Sequence, residues 1–204
     1  MCWRKAMEWY ADEVRSLEQM RKQEAPGRIM FYGSSSFRLW ETLTEDLSPW
    51  PVVNHAFGGS TLAACVYFFE RLVKPYAPRS LICYAGDNDL GDGQAPASVI
   101  ASFRTLLGKV DQHLGPIPFA FVSIKASPAR WYLREQICTV NEAIREELRA
   151  RTLGYFIDVY HPMLNRDGTP RQTLFADDGL HLSPEGYQLW TEILAAYRYP
   201  LLEP

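Results

Sequence analysis

Three consecutive hydroxyls, Ser34, Ser35 and Ser36, directly follow Gly33, and near the other end of the chain His181 stands three residues after Asp178. A serine hydroxyl becomes a nucleophile when an imidazole can take its proton and a carboxylate orients that imidazole. The types needed for acyl transfer are therefore present, although far apart in sequence. Two more stretches concentrate glycine and polar groups: His55-Ala56-Phe57-Gly58-Gly59-Ser60, and Gly86-Asp87-Asn88-Asp89-Leu90-Gly91-Asp92-Gly93.

Each stretch has a plainer reading. The serines alone could form a polar turn and helix N-cap. Gly58-Gly59 lacks the GxGxxG spacing of a dinucleotide site, and no GK[ST] signals a P-loop. Asp87, Asp89 and Asp92 suggest a calcium loop, but Ser98 stands where the late glutamate is required. His55, His113 and His161 show no metal-ligand spacing, though His55 could line a cleft beside the glycine pair. Asp177 competes with Asp178 as partner of His181, and the offset of three favours Asp178.

These stretches must be brought together by the elements between them. Apolar positions Trp3, Ala6, Tyr10, Val14, Leu17 and Met20 predict a helix within residues 3 to 23, stopped by Ala25-Pro26-Gly27. A first strand over about 28 to 32 leads into the serines, and a short helix from Phe37 ends before Pro49 and Pro51. Val52-Val53-Asn54 is a brief second strand, followed by a helix carrying Leu62, Cys65, Val66, Phe69, Leu72 and Val73. Leu81 to Ala85 is apolar without alternation, as in a central strand covered on both faces.

A helix with Val99, Phe103, Leu106 and Val110 precedes a strand over Phe119 to Ile124. Beyond the loop Lys125 to Arg130, a helix carries Ile137, Val140, Ile144 and Leu148, and Tyr155 to Val159 is the last strand. Tyr160 to Ser183 shows no period, and a loop of that length in a folded domain is usually functional. Ser183 as N-cap and Pro184 at the first helical position open a final helix to about Tyr197. Five strands alternating with helices predict a mostly parallel sheet in an α/β/α sandwich, with all strand exits at one edge.

With 204 residues, 47% hydrophobic and 22% charged, the chain is expected to form one domain over 1–204, in which 1–27 supply an N-terminal helix and linker. The net charge of -3 argues against nucleic acid as partner. Cys2, Cys65, Cys83 and Cys138 form no CxxC pair and read as reduced thiols. No apolar run has the length of a signal peptide or membrane span, so a cytoplasmic location is expected, with an exported form trimmed before this start left open.

Gly33-Ser34-Ser35, Gly59, Asn88 and Asp178-Gly179-Leu180-His181, in that order and each after a different strand, resemble the four signature blocks of the SGNH (GDSL-type) hydrolase superfamily. The resemblance runs from about Ile29 to Trp190 and implies the SGNH fold, a five-stranded flavodoxin-like three-layer sandwich. It implies a serine esterase acting on small acyl esters, acetylated carbohydrate and lysophospholipid among them, with no cofactor and no metal. Carried over by position, Ser35 is the nucleophile and Asp178 and His181 complete the triad. Gly59, Asn88 and the amide of Ser35 would form the oxyanion hole.

One departure is visible, since Ser34 stands where the family has aspartate. Arg38, Lys125, Arg130 and Trp131, at or just after strand exits, are candidates to bind the acid or sugar part of a substrate. A non-catalytic ligand-binding module on the same scaffold is the rival reading.

Overall fold

Ile29, Met30, Phe31 and Tyr32 leave no polar side for water, and a strand so composed needs cover on both faces. In the structure, a computed structural model that describes residues 7–20 and 25–203, these residues open β1 (Ile29–Gly33). The other strands are β2 (Val52–Asn54), β3 (Ser80–Tyr84), β4 (Phe119–Val122) and β5 (Gly154–Ile157). All pairings are parallel and the order is β2-β1-β3-β4-β5. The predicted α/β sandwich with a flavodoxin-like sheet is the observed one.

Side-chain alternation sends neighbours on one strand into different cores. Met30 and Tyr32 of β1, Leu81 and Cys83 of β3, and Phe119 and Phe121 of β4 enter one core. It is closed by α1 (Ala11–Met20), α4 (Leu62–Leu72), α6 (Pro96–Leu114) and α7 (Arg134–Arg149). Ile29, Phe31, Ile82, Tyr84, Ala120 and Val122 enter the other. That core packs on α2 (Ser35–Arg38), α3 (Leu43–Asp46) and α8 (Pro184–Ala196).

The sequence reading differs from the structure mainly in the loops. The stretch after Gly86 is a short helix, α5 (Asp87–Gly91), because Leu90 is buried and pulls the turn inward. The region 160–183 is held by the bridges Leu164–Pro170 and Phe175–Leu182. After α8, Arg198–Leu202 forms a π-helical turn tied to the sheet by Arg79 Nη2 donating to the Leu202 carbonyl at 2.8 Å. The predicted helical positions Trp3 and Ala6, and Cys2, lie outside the described residues. Cys65 and Cys83 are buried and free, and Cys138 is exposed and free. Among the described residues no helix is long and apolar enough to cross a membrane.

In this strand order the connections leaving β1 and β3 run to opposite faces, which opens a crevice at their carboxyl ends. The serine turn leaves β1 and α5 leaves β3. Two of the singled-out stretches therefore face each other across that crevice.

Candidate active site

Gly33 sets the position of the serines. Its φ is 141°, and a Cβ there would stand 1.9 Å from the carbonyl oxygen of Tyr84 on β3. Only glycine lets β1 lie this close while Ser34 N donates to that same oxygen at 2.8 Å. The chain then turns directly into α2, of which Ser35 is the first residue. The N–H groups of a first helical turn have no intrahelical acceptor, so this turn presents donors as well as a hydroxyl.

His181 reaches the same place from the far end of the chain. Its Nε2 lies 3.1 Å from Ser35 Oγ and its Nδ1 2.6 Å from Asp178 Oδ2. With Nδ1–H given to the carboxylate, Nε2 is left as acceptor for the serine proton. Asp178 Oδ1 accepts the N–H groups of Leu180 and His181, each at 2.9 Å. Partial burial works against the Asp178 charge, yet these two N–H groups and the imidazole bring its carboxyl down to about 2. Asp178, not Asp177, is thus the carboxylate joined to His181.

The loop that carries the pair is itself pinned. Ala129 N donates to Gly179 O at 3.0 Å and Ala176 N to His181 O at 2.9 Å, while Ser183 caps α8 through Gly186 N. A local Asp-x-x-His turn is thereby fixed to both the β4 exit and the last helix.

Asn88, on α5, points its amide across to the serine turn. Its Nδ2 donates to Ser34 Oγ at 2.7 Å and to the Ser60 carbonyl at 3.1 Å, so Ser34 fills the aspartate position with a hydroxyl that meets Asn88. Asn88 Oδ1 accepts from Arg130 Nη2 at 3.1 Å. The Nη1 of the same guanidinium lies 2.8 Å from Asp87 Oδ1, an ion pair in contact but not aligned as a hydrogen bond. Gly91 makes room for this arm, since a Cβ there would stand 2.8 Å from the guanidinium carbon. Lys125 Nζ completes the cluster at 2.7 Å from Asp87 Oδ2 and 3.0 Å from Tyr84 Oη. Burial pushes the Asp87 carboxyl up, but Lys125 and Arg130 outweigh it and hold it below its ordinary value.

The other residues singled out in the sequence have the following surroundings. Lys125 is 1% exposed and held by Asp87, which removes it from the substrate rim. Arg130 is turned inward onto Asn88 and Asp87. Arg38 pairs with Glu13 of α1, and Trp131 packs against the α6–α7 core with Arg134 over its ring. His55 is buried with Nδ1 against the Leu72 carbonyl and its ring edge-on to Tyr76, so it does not line the cleft. Asp89 accepts the Leu62 N–H on both oxygens rather than joining a cation loop. Among the described residues no group of three or more His, Cys, Asp or Glu could hold a metal.

The cluster of Asp87, Lys125 and Arg130 was missed as a unit. The available signal was the placement of opposite charges at the exits of adjacent strands β3 and β4. Missed too was the role of the N-terminal segment: Tyr10 Oη, in the turn before α1, donates to Gly59 O at 3.1 Å, and Glu13 Oε2, on α1, accepts Gly58 N at 2.8 Å.

Comparison with known proteins follows the same lines. A family model described as GDSL-like lipase/acylhydrolase matches residues 24–189. No curated protein matches the chain. A Streptococcus pneumonia structure carrying the provisional name platelet activating factor superposes with a TM-score of 0.81 at 19% identity, covering 96% of this chain and 97% of its own. A GDSL-like lipase from Bacteroides thetaiotaomicron gives 0.75 at 18% identity, with 94% and 96% covered. The family 3 carbohydrate esterase of Clostridium thermocellum gives 0.65 at 15% identity, with 86% and 98% covered. At these identities the likeness is one of fold, and that fold is the SGNH hydrolase α/β sandwich.

Proposed function

This chain belongs to the GDSL-like lipase/acylhydrolase family, and on that premise we propose that it is a serine esterase that hydrolyses small acyl esters through an acyl-enzyme formed on Ser35. The observation that carries the proposal is the continuous line from Ser35 Oγ to His181 Nε2 at 3.1 Å and from His181 Nδ1 to Asp178 Oδ2 at 2.6 Å. Ser35 Oγ attacks the ester carbonyl carbon while its proton passes to His181 Nε2. The negative charge that forms on the carbonyl oxygen is met by the amides of Ser35 and Gly59 and by Asn88 Nδ2. Collapse of the tetrahedral intermediate expels the alcohol, which leaves with the proton from His181.

Water then attacks the acyl-enzyme and gives a proton to His181 Nε2. That proton returns to Ser35 Oγ as the acid departs. Asp178 holds the imidazole in one orientation and balances its charge in both steps.

The rival, a binding module on this scaffold, draws on one observation: both hydrogens of the Asn88 amide already have protein acceptors. Catalysis requires one of them to leave Ser34 Oγ for the substrate. Labelling with a fluorophosphonate, together with burst kinetics on p-nitrophenyl acetate, separates the two. The esterase reading expects stoichiometric labelling that disappears in Ser35→Ala and persists in Ser34→Ala. Wild-type protein that neither labels nor bursts is a binding module.

A further inference from the structure

The family model begins at residue 24, so α1 and the turn before it lie outside the matched residues. They nevertheless hold the glycine turn of the site. Tyr10 and Glu13 bond to Gly59 and Gly58, and Glu13 also pairs with Arg38 at the end of α2. The segment is anchored in turn: Val14 and Leu17 are buried, and the Tyr10 ring sits edge-on to Phe57 at 5.2 Å and to Phe68 at 6.1 Å. Trp9 is thus attached to a fixed frame although its own side chain is 82% exposed. Its Nε1 lies 3.9 Å from the point where a Cβ on Gly59 would stand.

A large indole left in water beside the proposed oxyanion glycine borders a cavity of about 700 Å³. Trp9 and Tyr10 line it together with Gly59 and Asn88, the two residues proposed to meet the oxyanion. Asp92, Gln94, Ser98 and Ser102 also line it, and among the described residues Asp92 is the only charged side chain in the lining. The volume is within the range of small-molecule sites. Because Gly59 and Asn88 belong both to the proposed oxyanion site and to the lining of this cavity, an ester held there by its carbonyl oxygen borders the cavity.

We propose that this cavity is the leaving-group subsite and that Trp9 is its specificity-determining residue, selecting an uncharged, hydroxyl-bearing ring. The inference rests on the acyl-transfer reading above with a small acyl group, which leaves the alcohol as the large part of the ester. An exposed indole face suits stacking on the apolar face of a ring. Gln94, Ser98 and Ser102 supply donors and acceptors of either sense, as ring hydroxyls require. Asp92 opposes a carboxylate on the same ring.

Two acetate esters that differ only in charge test this: a monoacetylated methyl glucoside and the matching monoacetylated methyl glucuronoside, followed by acetate release. The wild type is expected to show a kcat/KM about tenfold higher for the glucoside. Trp9→Ala should raise KM for the glucoside about tenfold while kcat changes less than about twofold, the pattern of lost binding rather than lost chemistry. Asp92→Lys should reverse the charge preference. If the wild type labels with fluorophosphonate but neither substitution changes KM for either sugar, the subsite is refuted and the esterase reading survives. Failure of the wild type to label removes the esterase reading and this inference with it.

Discussion

Arg130 serves two partners at once, and that places it between stability and chemistry. One arm of its guanidinium contacts Asp87 and the other donates to Asn88 Oδ1, so the amide of Asn88 is held with Nδ2 toward the serine turn. A lysine at this position could keep the ion pair with Asp87 but could not also reach Asn88 with a rigid planar fork. Arg130→Lys is therefore expected to lower kcat on p-nitrophenyl acetate about tenfold with KM within about twofold of wild type. Asn88→Ala, which removes the proposed oxyanion donor outright, should cost about a hundredfold or more. Steady-state kinetics on both variants decide it, and an unchanged kcat in Arg130→Lys would show that Asn88 keeps its orientation unaided. Ser35, Asp178 and His181 could be singled out in the sequence because each belongs to a short local pattern. The sequence cannot show Arg130 and Lys125 as partners of Asp87, because Asp87 leaves a different strand and no local spacing reveals a pair made across two exits.

Among the elements, α4 shows how a buried carboxylate can organise a helix and oppose stability at the same time. Both oxygens of Asp89 accept the N–H of Leu62 at the first turn of α4, and the Thr61 hydroxyl caps Ala64 N. Burial nonetheless pushes the Asp89 carboxyl up from its ordinary value of 3.8 to about 6, against the pull of that N–H. A carboxyl raised in the folded state binds its proton more tightly there than in the unfolded chain, so its contribution favours folding at low pH. That contribution is complete below about pH 4 and fades as pH rises through 6, a loss of about 2 to 3 kcal/mol. Asp178, brought down to about 2, has the opposite sign and contributes above the ordinary carboxylate range, fading as pH falls toward 2. Urea unfolding of wild type and Asp89→Asn at pH 4.5 and 7 isolates the first effect. The difference between the two proteins should shift in favour of the variant as pH rises, and a difference independent of pH would contradict the assignment. The helices themselves were readable from periodicity, as Leu62, Cys65, Phe69 and Leu72 show. The short helix α5 was not, because five residues of Asp, Asn, Leu and Gly carry no period and are ordered by Leu90 and by the charges of Lys125 and Arg130 beyond the end of β4.

At the scale of the molecule, the sheet joins a serine near residue 35 to a histidine near residue 181, and the core beneath them keeps that distance. Trp190 of α8 is fully buried and its ring lies 6.0 Å from Phe37, 5.2 Å from Tyr84 and 6.3 Å from Trp40. It thus ties the helix that follows the His181 loop to the helix that begins at Ser35 and to the end of β3. The sheet order and the common edge of strand exits followed from alternating strands and helices. The aromatic packing did not, since periodicity identifies buried faces but not which ring meets which across a layer. On the opposite face, Ile144 of α7 is equally buried yet belongs to the core away from α2 and α8. Ile144→Ala should lose about 2 to 5 kcal/mol of stability through the cavity it leaves, and Trp190→Phe about 1 to 3 kcal/mol. If the second core sets the serine–imidazole distance, the milder Trp190→Phe should slow fluorophosphonate labelling at least about threefold well below its melting temperature. Ile144→Ala, despite its larger stability loss, should label within about twofold of wild type under the same condition. Labelling rates that instead rank by melting temperature would mean that the site senses global stability alone, and that α8 does not position the histidine through Trp190.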